Sequence, residues 1–205
     1  SWTETSNAMN DRVTFVRRYV DNLQRVLTAL PAEPLAQVMV TLEKTYAERR
    51  QVFLAGNGGS AATAGHMAND LLWGVAQSGQ RGFRVSSLTD NIPALTAIAN
   101  DSSYADIFVA PLQARAVAGD VLIVISGSGN SPNIVKAVEV AKQLGLTTIG
   151  FLGRGGGKVG PLVDIAVVVP ADEYEPIEDV HMMFDHLLTT YFRQWVTGRG
   201  AEPGV

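Results

Sequence analysis

An α/β fold, a doubly wound parallel sheet flanked by helices, is what this sequence predicts, and three observations carry the prediction. Short apolar runs alternate with longer stretches of helical spacing, the order expected when parallel strands are joined by helical crossovers. Val121 to Ile125 is an unbroken apolar run, the mark of a central strand covered on both faces. Two of the strands run straight into glycine- and serine-rich turns that open helices, Gly56-Asn57-Gly58-Gly59-Ser60 and Ser126-Gly127-Ser128-Gly129-Asn130-Ser131-Pro132. Such turns at the carboxyl edge of a sheet are where α/β proteins hold ligands.

Composition sets the limits. The chain has 205 residues, 46% of them hydrophobic and 18% charged, with a formal net charge of -4, which suits one globular domain with a sizeable core. Without a Lys/Arg run, neither nucleic acid nor an anionic membrane is expected as a partner. There is no cysteine, so only histidine and carboxylate side chains are available for a metal such as zinc. No apolar run reaches 18 residues and no signal-peptide pattern is present, so a cytoplasmic protein is expected. Residues 1–8 lack a hydrophobic period and read as a vector-derived tail, 9–198 as a single domain and 199–205 as a flexible C-terminal tail.

In chain order, Val13, Val16, Val20, Leu23, Leu27 and Leu30 recur at steps of three and four, a narrow seam before Pro31. It suits a helix packed on its own domain or one paired with a partner chain. Glu33 to Arg49 forms a second helix, with Leu35, Val38, Leu42 and Tyr46 on one face, and leads into a strand at Val52 to Ala55. The glycine turn follows, then an Ala-rich helix on which His66 and Asp70 share one face four residues apart. Phe83 to Leu88 is the second strand, and Thr89 to Pro93 reads as a helix start. That helix ends at Asn100-Asp101, and another runs from Tyr104 to Ala116. After the central strand, Ser131 stands as N-cap with Pro132 in the first helical position, and the helix continues to Lys142. Strands at Thr147 to Leu152 and Ile165 to Val169 flank the Gly153 to Gly157 loop, and a final helix covers Glu175 to Val196. There Ile177, Met182, Met183, Phe184, Leu188 and Trp195 read as core and interface filling, and His181 as a core histidine.

The first turn can be written G-x-G-x-x-A, which raises dinucleotide binding. That reading needs an acid near the end of the second strand to hold a ribose, and Asp90 stands too late. It also leaves the second, serine-rich turn without a use, so no nucleotide cofactor is expected. Neither turn contains the Gly-Lys-Ser/Thr of a Walker loop or a Gly-x-Ser-x-Gly elbow.

The two turns together are more specific. GNGGSAA with a histidine four residues before an acid, AIAND, VISGSGNSPN followed by VKAVEVAK, GGGK and a late H-x-x-x-x-H make the chain resemble the sugar isomerase (SIS) family. Within it, the chain is similar to the phosphoheptose isomerases over Val13 to Val196. The resemblance implies a flavodoxin-like sheet with N-terminal helices used in oligomerisation, and homotetramers with sites at subunit interfaces. It implies isomerisation of a phosphorylated sugar, sedoheptulose 7-phosphate to glycero-manno-heptose 7-phosphate, through an enediol. Ser126, Gly127, Ser128 and Ser131 would hold the phosphate. Asn57, Gly58, Ser60, Asp101 and Glu178 would border the sugar, and Asp70 and His186 would be catalytic. A zinc would sit among His66, Asp70, Glu178 and His186. A carboxylate and an imidazole are suited to such a reaction, which takes a proton from one carbon and returns it to its neighbour.

The sequence also departs from the resemblance. Asp70 stands where the family has Glu, Glu178 where it has Gln, Gly74 where it has Arg, and Gly127 where it has Thr. Glu178 and His186 are eight residues apart, about 12 Å of helical rise, so one metal would need them from different subunits, or they have separate tasks. The alternative to an isomerase is a non-catalytic SIS protein that binds a phosphosugar or a replication-initiator-type partner.

Overall fold

The computed structural model describes residues 2–198, with side chains from residue 9 onward; Ser1 and the expected tail at 199–205 lie outside the described residues. Helices α1 (Trp2–Thr28) and α2 (Ala32–Ala47) precede β1 (Gln51–Gly56) and α3 (Gly59–Asn69). They are followed by β2 (Arg84–Ser87), α4 (Ile92–Asp101), α5 (Val109–Arg115), β3 (Val121–Ser126) and α6 (Pro132–Gln143). The chain closes with β4 (Thr147–Leu152), β5 (Ile165–Val168) and α7 (Tyr174–Trp195). All strand pairs are parallel and the order is β2-β1-β3-β4-β5. This is the doubly wound, flavodoxin-like order, whose direction reverses between β1 and β3. The two glycine/serine turns follow those two neighbouring strands and therefore meet at the switch point.

Alternating strand residues divide the core into two layers. Val52 and Leu54 of β1, with Val121, Ile123 and Ile125 of β3, pack towards α2, α3 and α7. Phe53 and Ala55, with Leu122 and Val124, pack towards α5 and α6. Strand β3 is buried along its whole length, as its unbroken apolar run requires. Helix α7 contributes Ile177, Val180, Phe184, Leu188 and Phe192 to the first layer, and Leu42 and Val38 of α2 join them.

Three local features depart from the sequence expectation. The helix expected from Tyr104 divides into a short 3-10 turn, Tyr104–Asp106, and α5. Pro111 would break a helix begun at Tyr104 but is tolerated in the first turn of one begun at Val109. Asp106 holds the turn, accepting from the hydroxyls of Ser102 and Ser103 and pairing with Lys136. Its carboxyl is lowered to about 2, chiefly by the Lys136 bond. Second, α3 ends in a π-helical turn, Asp70–Gly74, in which Val75 N–H donates to Asp70 O. Third, α1 extends back over residues 2–8 and packs only one side on the domain, through Leu23, Val26 and Leu30. Tyr19 OH donates to Asp179 and Asn22 Nδ2 to Glu173 at 3.3 Å, tying α1 to α7. The bond to Asp179 raises the Tyr19 phenol to about 12. Val13, Phe15, Val16, Val20 and Leu27 remain exposed.

Candidate functional site

The loop after β3 is held by its own backbone. Ser126 Oγ accepts from Gly129 N–H at 3.0 Å and Ser128 Oγ from Asn130 N–H at 3.2 Å, so each hydroxyl is oriented while its own proton stays available to an oxyanion. Ser131 occupies the N-cap position of α6 as expected, with Pro132 next to it, but its side chain makes no capping bond. Ile134 N–H is satisfied instead by Ser131 O and by Asn133 Oδ1 at 3.0 Å, which leaves the Ser131 hydroxyl uncommitted. Close backbone approach explains a glycine here. A Cβ at Gly129, where φ is +62°, would meet Gly156 O at 2.1 Å. The GGGK loop packs directly on the serine loop at that point, and Lys158 N–H donates to Asn130 Oδ1.

The loop after β1 faces it. Asn57 and the buried Asn133 exchange side-chain amide hydrogen bonds of 2.9 and 2.8 Å, and Tyr104 OH also donates to Asn57 Oδ1. Gly58, with φ +55°, supplies the turn into α3, and the amides of Ser60 and Ala61 bond back to Asn57 O. Between the loops lies a polar cavity of about 120 Å³, lined by Asn57, Ser60, Ser126, Gly127, Ser128 and Ser131 from the turns and by Tyr174 and Glu178 from α7. Among the described residues, no Lys or Arg lines it. An anion there depends on hydroxyl protons and on the N-terminus of α6. The Glu178 carboxylate leans over Gly59, with Oε2 2.7 Å from the position a Cβ would take.

About two turns into α3, in the π-helical turn that follows it and about three turns into α7, four titratable side chains converge. His66 Nε2 lies 3.4 Å from Asp70 Oδ2, 3.6 Å from Asp185 Oδ2 and 3.4 Å from His186 Nε2. The donor atoms of these four residues all fall within 4.8 Å of one another. The two imidazoles are exposed, Asp70 is half-buried, and Asp185 is fully buried. Asp185 Oδ2 has no hydrogen-bond partner. Burial raises its carboxyl to about 6, with help from the charge of Asp70 and opposed by His66 and His186. Two imidazole nitrogens and two carboxylates are a donor set that fits a divalent cation such as zinc.

Of the residues expected from sequence, His66, Asp70 and His186 meet in this cluster, and Asn57, Ser60, Ser126, Gly127, Ser128, Ser131 and Glu178 meet at the cavity. Glu178 is thus separated from His186 within one chain, and the fourth side chain of the cluster is Asp185. The reason is the helical rise noted above: residues 185 and 186 share a turn, whereas 178 lies two turns earlier. Asp101 stands apart from both, at the end of α4 on a groove shared with Asp106 and Lys136. Sequence reasoning did not find Asp185, Asn133, Tyr104 or Tyr174. Asp185 carried a usable signal, an acid inside the apolar stripe Ile177, Val180, Phe184 and Leu188. At position 74, where the departure from Arg was noted, the Arg193 guanidinium packs against Gly74 and Nε donates to its carbonyl at 2.7 Å.

The comparisons with known proteins agree with this fold. The SIS domain model matches residues 16–153. The chain belongs to the SIS domain family. It is 42% identical over 156 residues to a phosphoheptose isomerase of Helicobacter pylori, covering 76% of this chain and 81% of that one. Its identity to the phosphoheptose isomerase of Trichlorobacter lovleyi is 34% over 194 residues, covering 93% and 98%. The solved structure of phosphoheptose isomerase GmhA from Neisseria gonorrhoeae superposes with a TM-score of 0.80 at 30% identity, over 90% of this chain and 98% of that one. Among the described residues, no helix is long and apolar enough to cross a membrane.

Proposed function

We propose that this chain is a phosphoheptose isomerase that interconverts sedoheptulose 7-phosphate and glycero-manno-heptose 7-phosphate. The observation that carries the reading is a site with two ends on one pair of helices. Ser60 lines the serine cavity and His66 lies six residues further along α3, about 9 Å of rise; Glu178 and His186 are about 12 Å apart along α7. An open-chain heptose 7-phosphate has the same layout, with its phosphate at one end and the reacting carbons 1 and 2 at the other. The phosphoheptose isomerases at 42% and 34% identity support the same substrate class.

In this reading the hydroxyl protons of Ser126, Ser128 and Ser131 hold the phosphate, and Asn57, Gly58, Ser60 and Gly127 shape the wall around it. Asp70 takes the proton from the carbon beside the carbonyl and returns it to the neighbouring carbon. His186, through Nδ1, the ring nitrogen not turned to the cluster, moves the proton at oxygen, so that neither a free carbanion nor a free alkoxide forms. Zinc is the proposed occupant of the cluster, held by His66, Asp70 and His186, and when bound it supplies Lewis-acid stabilisation of charge developing on the sugar oxygen. The reading includes a cytoplasmic homotetramer, in which copies of the chain cover the exposed Val13, Phe15, Val16 and Val20 of α1. Light scattering on Val16→Glu/Val20→Glu protein tests that part, and an unchanged mass would remove it.

The activity is tested by incubating zinc-replete protein with sedoheptulose 7-phosphate in D2O. Aldose product and deuterium at the carbon next to the carbonyl are expected. Absence of both overturns the isomerase reading.

A further inference from the structure

We infer that Asp185, not Glu178, is the second carboxylate of the metal centre, so that His66, Asp70, Asp185 and His186 form a four-donor cage within one chain, to which a sugar oxygen would add as a fifth ligand. The inference rests on the zinc reading above and concerns which residues hold the ion. Its first support is distance. A tetrahedral zinc with bonds of about 2.0–2.2 Å sets its donors about 3.3–3.6 Å apart. The observed separations around His66 Nε2 are 3.4 Å to Asp70, 3.4 Å to His186 and 3.6 Å to Asp185. Three of the six separations are thus those of a tetrahedral zinc, and the other three are no longer than 4.8 Å.

The second support is the state of Asp185. Its side chain is fully buried and Oδ2 has no hydrogen-bond partner; Oδ1 accepts only from Thr189 Oγ1, at a long 3.4 Å. Burying a carboxylate that lacks donors is costly unless a cation accompanies it. Among the described residues, no Lys or Arg is one of its partners, and besides the Thr189 hydroxyl the groups facing it are His66, His186 and the carboxylate of Asp70. The two Nε2 atoms face each other at 3.4 Å, within reach of an N–H···N hydrogen bond when one ring carries its proton there; with both protons at Nδ1 the two lone pairs are turned to one space and suit a cation. Glu178 has neither property. Its carboxylate lies against Gly59 at the serine cavity, two turns of α7 away from the cluster.

The test is zinc affinity of the full-length protein, stripped with chelator and titrated with zinc against a competing chelator. Asp185→Asn is expected to bind zinc at least about 100-fold more weakly than wild type, beyond the losses seen when only a supporting shell is altered. Glu178→Gln is expected to bind zinc as tightly as wild type. Zinc-edge anomalous diffraction from wild-type crystals provides a readout that needs no variant to fold, with an Asp185 oxygen expected about 2.0–2.2 Å from the peak. The cage is overturned if Glu178→Gln loses zinc while Asp185→Asn keeps it, if the peak is held by Glu178, or if wild type binds no zinc. Turnover on the same samples separates the two claims. Zinc bound through Asp185 without sugar turnover overturns the isomerase reading alone, and active enzyme whose zinc ignores Asp185→Asn overturns the cage alone.

Discussion

The two ends of the site are built by different means. The serine cavity is made from two turns, each following its own strand, and most of its contacts are short in sequence: Ser126 to Gly129, Ser128 to Asn130, Ser131 to Ile134. The cluster is made by laying α7 across α3, and His66 and His186, whose Nε2 atoms are 3.4 Å apart, are separated by 120 positions. A cavity of the first kind is written in local glycine and serine chemistry. A cluster of the second kind depends on the rotation of a buried helix, where one residue's difference decides which acid points inward. Substitutions at the cluster should therefore abolish chemistry with binding retained, and substitutions at the cavity should do the reverse.

The largest expected effect is at the cluster. Asp70→Asn and His186→Gln should each lower kcat by about 10²–10⁴, the range for removal of a general acid or base, with KM for the sugar phosphate nearly unchanged. Steady-state kinetics on sedoheptulose 7-phosphate checks this. A rise in KM alone would move these residues to the binding side of the comparison.

A second effect separates an active histidine from a silent one on the same helix. His181 is buried, and since a carbonyl can only accept, its Nε2 donates to Leu152 O at 3.2 Å; burial lowers its pKa to about 4. Above pH 6.5 the ring is neutral folded or unfolded and contributes nothing to the pH dependence. Below 6.5 the unfolded chain takes a proton that the folded chain refuses until about pH 4, so stability falls across that window by up to about 3 kcal/mol and then levels off. Denaturant melts of wild type and His181→Gln from pH 7 to 4 should diverge by that amount. The difference between the two curves is the measure, because the buried carboxyl of Asp185, raised to about 6, titrates with the opposite sign. Parallel curves would mean that His181 takes a proton in the folded state.

At the cavity, Ser131→Ala should raise KM about 10- to 100-fold, the worth of one hydrogen bond to a charged group, with little change in kcat or thermal stability. Ser131 is the cleanest choice because its hydroxyl supports no capping bond. A fall in melting temperature equal to that of Ser126→Ala, whose hydroxyl does hold the loop, would show that Ser131 is structural.

The same contrast explains what could be read from the sequence. The five strands, the parallel order and both turns were legible because apolar runs and glycine positions report local structure directly. His66 and Asp70 were legible as a pair because i and i+4 share a helical face. Asp185 was not, although the apolar stripe marks it as facing inward, because position 178 carried the expectation and the stripe does not state that α3 is what it meets there. The matched SIS domain stretch ends at residue 153, before α7 begins, so the least legible part of the site also lies beyond the family model. Asn133 and Tyr104 were missed for a similar reason: their roles exist only once α6 and the Tyr104 turn are brought against Asn57.

The smallest expected effect concerns Gly127, the loop position where a threonine was the expected residue. A Cβ there would lie 2.8 Å from the ring of Tyr174, which itself stacks under the Arg154 guanidinium at 4.0 Å. The ring is partly exposed and can move, so Gly127→Ala should cost only about 1 kcal/mol, at the low end of overpacking penalties. Removing the ring should remove the cost. Gly127→Ala in a Tyr174→Ala background is expected to be nearly neutral, and the coupling energy from the double-mutant cycle should equal the single-mutant penalty. If the two changes add instead, the glycine is required by the backbone of the serine loop and not by α7. The cavity would then be a wholly local structure, and the contrast with the cluster would be complete.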